Sequence, residues 1–256
     1  RTMTETVQAP ILEAENLSIQ FGGLKALQEL SFTIPEKTVF SIIGPNGAGK
    51  TTFFNIVTGI YRPTAGDIRF CGESIVGLEP SRIVERGICR TFQNIRLFQN
   101  LTVLENVMIG RQLHERTGLG DILLRTQRFR AQEAETLDRA AEILDYVGIL
   151  DDANALAKNL PYGRQRRLEI ARALATAPRL LLLDEPTAGM NPSESEEMVQ
   201  LFQRICEERG VCVLMIEHDM KVVMGVSQRI LVLNFGRQFA LGSPREVLEN
   251  EEVITA

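Results

Sequence analysis

The chain has 256 residues, of which 44% are hydrophobic and 24% charged, and its formal net charge is -5 at pH 7. The length allows a large hydrophobic core, and the acidic balance is unlike the basic surface of proteins that wrap duplex DNA. The longest apolar runs, LLLLD and VCVLMI, are much shorter than the ~20 residues that span a bilayer, so we expect membrane contact only through a partner.

The cysteines and the start of the chain indicate the cellular compartment. Cys71, Cys89, Cys206 and Cys212 are scattered without a CxxC pair, which predicts reduced thiols and a cytosolic protein. The start carries no signal-peptide pattern, and the polar residues 1–10 are predicted to be disordered.

Strand patterns dominate the first part of the chain. Residues 11–21 alternate in polarity and end at Gly22, LKALQELSFTI follows, and TVFSIIG has the continuous apolar pattern of a buried strand. Residues 44–52, GPNGAGKTT, come directly after that strand and open a helix that we expect Gly59 to end. A strand, a glycine-rich loop and a helix in this order are what a phosphate-binding loop requires.

A helical insert is predicted for residues from about 94 to 159. It includes TVLENVMIG, in which Thr102 and Glu105 form a capping box. A second helix is predicted for AETLDRAAEILDYVG, with one apolar stripe along it. The stripe contains Leu137, Ala141, Leu144 and Val147 or Gly148.

Strands and helices alternate in the last third. RLLLLDE and VCVLMIE are buried strand patterns, and between them Asn191 caps a helix that has Pro192 at its first position and stops at Gly210. GSPREVLEN is a short helix in which Ser243 and Glu246 form a capping box. This alternation predicts an α/β fold with a mainly parallel sheet core and helices on both faces.

The glycine-rich loop matches the phosphate-binding pattern G-x-x-x-x-G-K-[ST]. Its backbone N–H groups converge on phosphate oxygens, the ammonium of Lys50 neutralises the β and γ phosphates, and the hydroxyl of Thr51 can bind Mg²⁺. The predicted nucleotide-binding residues of this loop are Gly44, Pro45, Asn46, Gly47, Ala48, Gly49, Lys50, Thr51 and Thr52.

Polar residues follow the other buried strands. Asp184 ends LLLLD and is predicted to hold Mg²⁺ through water, while Glu185 is predicted to orient or deprotonate the attacking water. His218 follows VCVLMIE and is predicted to contact the γ phosphate at the carboxyl edge of the sheet. Gln93 lies where the insert begins and is predicted to report on metal and water to a mobile element. The alternatives are a strand-end acidic cap and a structural histidine.

Together these motifs resemble the ATP-binding subunit of ABC transporters, and the resemblance covers nearly the whole chain. It identifies residues 44–52 as the Walker A motif, Gln93 as the Q-loop, LLLLDE as the Walker B motif with its catalytic glutamate, and His218 as the switch histidine. It implies ATP and Mg²⁺ as cofactors, with Thr51, Gln93 and Asp184 at the metal.

The resemblance also implies the detailed fold class. This class is a P-loop NTPase of the ABC ATPase type, with a mainly parallel sheet core, an antiparallel β subdomain and a helical insert. Residues 11–256 then form one ABC ATPase domain. Phe21 stands where the family stacks an aromatic ring on adenine, and the alternative is an ordinary buried strand aromatic.

The stretch LPYGR stands where the family has its LSGGQ signature, which acts on ATP held by a second, head-to-tail subunit. It departs from the family pattern at three positions, and Asn191 stands where the D-loop commonly has aspartate. The proline removes a hydroxyl and an N–H group, which predicts a weaker contact with the partner's γ phosphate. The stretch comprises Leu160, Pro161, Tyr162, Gly163 and Arg164.

A closer resemblance is to one of the two ATPase subunits of branched-chain amino acid uptake systems. It rests on RTFQNIRLFQNLTVLENVMIG, YGRQRRLEIARAL, AGMNP, IEHDMKVVMGVS and the insert RQLHERTGLGDILLRTQRFRAQEAE. It implies an importer with a second, different ATPase, transmembrane permease subunits and an extracytoplasmic solute-binding protein, and no nucleic acid partner. Residues 94–106 are predicted to dock the permease at the cytoplasmic face of the membrane.

Three alternatives stay open at this point. The importer could carry urea, short amides or other amino acids, since related systems share these motifs. The chain could be a soluble ABC-type ATPase that acts on DNA or ribosomes. It could also be a non-catalytic nucleotide-gated assembly subunit, which Pro161, Tyr162 and Asn191 suggest and which the retained Lys50, Asp184, Glu185 and His218 oppose.

Overall fold

The computed structural model describes residues 10–93, 95–111 and 127–250. The strands are β1 (Pro10–Phe21), β2 (Leu24–Pro35), β3 (Val39–Ile43), β4 (Ala65–Phe70), β5 (Glu73–Ser74), β6 (Ile88–Arg90), β7 (Leu180–Asp184), β8 (Cys212–Ile216), β9 (Arg229–Asn234) and β10 (Arg237–Gly242). The helices are α1 (Lys50–Val57), α2 (Pro80–Glu85), α3 (Val103–Arg111), α4 (Gln127–Tyr146), α5 (Tyr162–Ala175), α6 (Pro192–Arg209), α7 (Met220–Val226) and α8 (Pro244–Leu248).

The chain forms two compact units. The first is built from the described residues of Arg1–Ile88 and Arg179–Ala256, and the second from those of Cys89–Pro178. The described part of the predicted insert, residues 95–111 and 127–159, falls within the second unit, and residues 94 and 112–126 lie outside the described residues. The disorder predicted for residues 1–10 is wrong at Pro10, which begins β1, because its pairing with Pro35 of β2 orders it. Residues 1–9 lie outside the described residues.

The sheets confirm the predicted fold class. A 6-stranded sheet has the order β10-β9-β3-β8-β7-β6. In it β3 runs parallel to β8 and β9, β7 runs parallel to β8, and β10 is antiparallel to β9. A separate 4-stranded sheet, β2-β1-β4-β5, is antiparallel. Because β3, β7 and β8 are parallel, the residues that follow them emerge at one edge of the sheet.

The core of the first unit covers both faces of the parallel sheet. Ile42 and Leu231 belong to a hydrophobic cluster shared with Phe53 of α1, whereas the neighbouring Ile43 and Ile230 belong to a second cluster. Successive strand residues point to opposite faces, so this alternation confirms buried packing on both sides. Helix α1 buries the side chains of both Phe53 and Phe54. This packing fixes the helix and therefore the loop that precedes it.

The second unit contains α3, α4 and α5. The predicted capping box is confirmed, because the backbone N–H of Thr102 donates to Oε2 of Glu105 at 2.7 Å and the N–H of Glu105 donates to Oγ1 of Thr102 at 3.1 Å. The predicted stripe of α4 is wrong in its first half. Leu137 is 43% exposed, and the buried stripe is Thr136, Ala140, Ile143, Leu144 and Val147.

The register error on α4 has a simple cause. The buried positions follow the helical spacing of three and four residues, and a small alanine and a threonine occupy the positions that face the interior. Leu137 is rotated by one residue, about 100°, from Thr136, so its side chain faces outward despite its hydrophobicity.

Two further sequence predictions concern membrane-spanning segments and the state of the cysteines. Among the described residues, no helix has the length and apolarity that crossing a bilayer requires. The four cysteines, all within the described residues, are free thiols: Cys206 and Cys212 are buried, Cys89 is half-buried and Cys71 is exposed.

Candidate nucleotide site

The glycine-rich loop has the backbone conformation that its sequence predicts. Gly44, Gly47 and Gly49 have φ values of 147°, 80° and 102°, which side-chain-bearing residues rarely adopt. A Cβ atom on Gly49 would lie 2.6 Å from Cδ2 of Leu27 and 2.7 Å from the carbonyl oxygen of Ala26. Only glycine fits there, and α1 begins at the next residue, so the positive end of its dipole opens into the loop.

Lys50 is held inside this loop. Its side chain is buried, and Nζ donates to the carbonyl oxygens of Gly44 at 2.6 Å and Pro45 at 2.9 Å. Burial lowers the pKa of Lys50, and the nearby carboxylates of Glu185 and Asp184 partly offset this effect. Burial thus disfavours the charged form of Lys50 by removing water, and the negative charge of a bound phosphate would favour that form again.

Two of the predicted catalytic residues meet at the edge of the sheet. Asp184 ends β7 and is buried, and Glu185 follows it with a φ of 48°, while its N–H donates to the carbonyl oxygen of Ile216 at 2.9 Å. Nε2 of His218 lies 2.8 Å from Oε1 of Glu185. A non-glycine residue at positive φ is strained, and this one is held by the end of the neighbouring strand.

A buried hydrogen bond that the motifs did not predict supports this edge. Oγ1 of Thr187 donates to Oε1 of Glu217 at 2.6 Å, and both residues are buried. Burial raises the pKa of Glu217, more than the hydrogen bond from Thr187 lowers it. The bond ties the segment after Glu185 to the residue before His218. The sequence signal was a glutamate within the otherwise apolar VCVLMIE.

A cavity of about 640 Å³ in the first unit joins these groups. Its lining includes residues 46–52 of the loop, Glu185 and His218, together with the aromatic rings of Phe21 and Phe235. Phe21 is 43% exposed and packs edge to face on Tyr61 with ring centroids 5.1 Å apart. The alternative that Phe21 is an ordinary buried strand aromatic is therefore wrong.

Gln93 belongs to the second unit and is exposed. Its backbone carbonyl accepts a hydrogen bond from Nη2 of Arg166 at 2.5 Å, and Nη1 of Arg166 donates to the carbonyl of Phe92 at 2.9 Å. The segment that carries Gln93 is thus fixed by a side chain of α5.

The predicted signature segment lies at the start of α5. The helix begins at Tyr162 and its N-cap residue is Pro161, whose side chain has no oxygen with which to cap. Nε2 of Gln165 donates to the carbonyl of Leu160 at 2.9 Å. Gly163 is buried, whereas Arg164 forms an ion pair with Asp152 on the surface.

Arg166 and Glu169 form a buried ion pair that sequence reasoning missed. Each is 3% exposed, and Nη1 of Arg166 lies 3.2 Å from Oε2 of Glu169. Nε of Arg166 also donates to the hydroxyl oxygen of Tyr162 at 3.2 Å, and Oε1 of Glu169 accepts from the N–H of Phe92 at 3.3 Å. Their helical spacing places both on the side of α5 that buries Gly163, Ile170 and Ala173, and this was the available signal.

Asn191 has a structural role of its own. Its Oδ1 accepts from the N–H of Glu194 at 3.0 Å, and Oε2 of Glu194 accepts from the N–H of Asn191 at 3.0 Å. This reciprocal capping box starts α6, so the asparagine stabilises the helix start, and its place in the D-loop stays a prediction.

Changing Asn191 tests that role. Asn191→Ala is expected to lower the free energy of unfolding by about 1 kcal/mol, because the cap to Glu194 is lost, whereas Asn191→Asp keeps an accepting oxygen and should change stability little. Urea unfolding followed by circular dichroism measures both. Equal stability of the alanine and aspartate variants would contradict the capping role.

Comparisons with known proteins agree with this geometry. Residues 27–188 match the family model described as ABC transporter. The chain is 47% identical to the high-affinity branched-chain amino acid transport ATP-binding protein LivG of Salmonella typhimurium, over 96% of this chain and 97% of the relative. It is also 47% identical, with the same coverage, to the corresponding protein BraF of Pseudomonas aeruginosa.

Solved structures give the same match. A nucleotide-free ATP-binding cassette from an ABC transporter is 30% identical, with a TM-score of 0.83 and coverage of 96% of this chain and 98% of the other. The ADP conformation of another such cassette is 29% identical, with a TM-score of 0.84 and coverage of 97% and 98%.

Proposed function

Because the chain belongs to the ABC transporter family as one of its ATP-hydrolysing subunits, we propose that it powers the import of branched-chain amino acids. The observation that carries this proposal is the 47% identity to LivG over 96% of the chain. That similarity spans both compact units, so it favours an amino acid importer over the other solutes that related systems carry.

ATP is proposed to bind with its phosphates on residues 44–52. The start of α1 supplies N–H groups and a positive dipole end, and Lys50 supplies a fixed positive charge. Lys50 would exchange its bonds to the Gly44 and Pro45 carbonyls for phosphate oxygens. Burial lowers the pKa of Lys50, while the carboxylates of Glu185 and Asp184 raise it. The negative charge of a bound phosphate would raise it further and so favour the protonated form.

The residues near the loop fit Mg²⁺. Thr51 lines the cavity and offers a hydroxyl, and Asp184 at the end of β7 offers a carboxylate. Magnesium prefers oxygen donors of this kind. Within the described residues, no group of three or more His, Cys, Asp or Glu side chains could hold a metal ion. Bound Mg²⁺ would neutralise charge on the phosphate oxygens. Gln93 is proposed as a further ligand.

Glu185 is proposed as the general base. Its carboxylate accepts a proton from the attacking water as the new P–O bond forms at the γ phosphorus and the bond to the ADP oxygen breaks. His218, whose Nε2 lies 2.8 Å from Oε1 of Glu185, orients that carboxylate and is proposed to contact the γ phosphate. The strained backbone of Glu185 keeps the carboxylate at the strand end.

A second ATPase subunit is proposed to complete each site. ATP gripped by Lys50 on one subunit would meet the Leu160–Arg164 signature of the other, and its higher affinity for the closed pair would drive closure. Pro161 lacks the N–H that a serine would contribute, so we propose a different chain, with a more regular signature, as the partner.

Residues 94–106 are proposed as the docking surface for the permease subunits. In the described part of this range, Phe98 is exposed, and Asn106 fixes its backbone by accepting from its N–H at 2.9 Å and donating to its carbonyl at 3.1 Å. Asn94 lies outside the described residues. The chain would sit at the cytoplasmic face as a peripheral subunit, with the extracytoplasmic solute-binding protein acting through the permease.

Reconstitution tests the proposal. With permease subunits, second ATPase and solute-binding protein in proteoliposomes, uptake of labelled leucine, isoleucine and valine should require ATP on the side of this chain. The same vesicles are assayed with urea and acetamide. ATP-dependent uptake of urea or acetamide without leucine uptake would overturn the solute assignment, and leucine uptake independent of ATP would overturn the powering role.

A further inference from the structure

The turn between β9 and β10 carries an aromatic residue in a conformation that disfavours it. Phe235 and Gly236 are the only residues between paired Asn234 and Arg237, and their φ values are 46° and 76°. Two-residue turns with both φ values positive prefer Asn-Gly, because a bulky residue is strained at the first position. Phe235 is also 80% exposed, so its ring gains little from burial.

This turn is fastened to the phosphate loop. The N–H of Gly236 donates to the carbonyl of Ala48 at 3.0 Å, and the N–H of Gln28 donates to the carbonyl of Gly236 at 2.8 Å. Nε2 of Gln28 donates to the carbonyl of Phe235 at 3.0 Å. A Cβ atom on Gly236 would lie 2.5 Å from the carbonyl oxygen of Ala26, so the close approach requires glycine. The ring of Phe235 is thus carried by a fixed backbone.

The ring of Phe235 lines the cavity in front of the phosphate loop, so a nucleotide bound there can contact it. Phe235, Phe21 and Leu24 line it together with residues 46–52. When the phosphates of a nucleoside triphosphate lie on that loop, the rest of the cavity must hold its base, which is planar and has two apolar faces. Aromatic side chains bind bases through their faces, and this contact tolerates any base because each has a π face.

We propose that Phe235 contacts the base of the bound nucleotide and forms, with Phe21, the aromatic wall of the base subsite. The inference deepens the proposed ATP site and rests on it. It explains why a strained and exposed phenylalanine stands in a turn that asparagine would suit better. An apolar contact with another protein would use the same exposure, and the test separates the two.

Calorimetric titration of the purified full chain with ADP and with inorganic tripolyphosphate, which has no base, is the test. Phe235→Asn is expected to weaken ADP binding about five- to tenfold, as loss of one stacked ring does, and to leave tripolyphosphate affinity within about twofold. Phe235→Trp should restore ADP affinity to within about twofold of the unchanged chain. Leu248→Ala, which removes an exposed apolar side chain outside the cavity lining, should change neither affinity.

The thermal midpoint separates a base contact from a folding role. Ligand-free Phe235→Asn should melt at the same or a higher temperature, because Asn-Gly suits the turn. Unchanged ADP affinity in this variant overturns the proposal and favours a protein contact, and equal weakening of ADP and tripolyphosphate also overturns it. If the unchanged chain binds neither ligand, the ATP site fails as a whole. This titration measures nucleotide binding and not leucine import, so its outcome does not depend on which solute the transporter carries.

Discussion

Glu185→Gln is expected to lower ATP turnover of the assembled transporter by about 10²- to 10⁴-fold while ATP affinity stays within about threefold. The amide keeps the size of the side chain and can still pair with Nε2 of His218, which now lies 2.8 Å from Oε1. It cannot accept a proton from the attacking water. Substrate binding therefore survives while the proton transfer is lost, and the ATP-bound closed dimer should accumulate.

Phosphate release and equilibrium ATP binding measure the two effects separately. Glu196→Gln makes the same chemical change on the exposed side of α6 and should leave both values unchanged. Turnover of Glu185→Gln within about threefold of the unchanged transporter would remove Glu185 from the role of base. A parallel loss of ATP affinity would instead assign Glu185 to binding.

The features that could be predicted from the sequence depend on local signals. The loop of residues 44–52, the capping boxes of α3 and α8, the Asn191 cap of α6 and the residues after strands β7 and β8 each depend on a few neighbouring residues. Parallel strand order then brings Glu185 and His218 together, since both follow strands of the same sheet. Their meeting is a consequence of topology that the alternation of strands and helices already indicated.

The features that were missed depend on residues far apart in the chain. Thr187 and Glu217 are 30 residues apart, and Gln28 and Phe235 are 207 apart. Composition gives no sign of which polar residue pairs with which across such distances. On α4, hydrophobicity alone assigned Leu137 to the interior, whereas burial followed the position of Ala140 on the helix.

The arginine-rich start of α5 shows the same limit most clearly. In RQRR, Arg164 forms an ion pair with Asp152 on the surface, whereas Arg166 forms a buried ion pair with Glu169. Arg167 instead donates to the carbonyl of Val147 at 2.8 Å. Three chemically identical side chains therefore have three different environments. Helical position distinguishes them, and residue type does not.

Arg166→Met is expected to lower the free energy of unfolding by about 3–5 kcal/mol, because it leaves the buried carboxylate of Glu169 without its counter-ion. Burial already raises the pKa of Glu169, which shows that its charged form is costly even with the arginine present. The change also removes the donors to the carbonyls of Phe92 and Gln93. The methionine fills most of the volume, so the loss is mainly electrostatic.

The exposed pair Arg139 and Glu142 is the matched control. It has the same spacing, a contact of 3.0 Å and side chains that are 55% and 60% exposed. Arg139→Met should cost less than about 1 kcal/mol, because water screens and solvates both charges. Removing both partners in Arg166→Met/Glu169→Met should recover part of the loss, since no unpaired charge then remains buried. If urea unfolding shows equal losses for Arg166→Met and Arg139→Met, the unpaired buried carboxylate of Glu169 does not carry the expected cost.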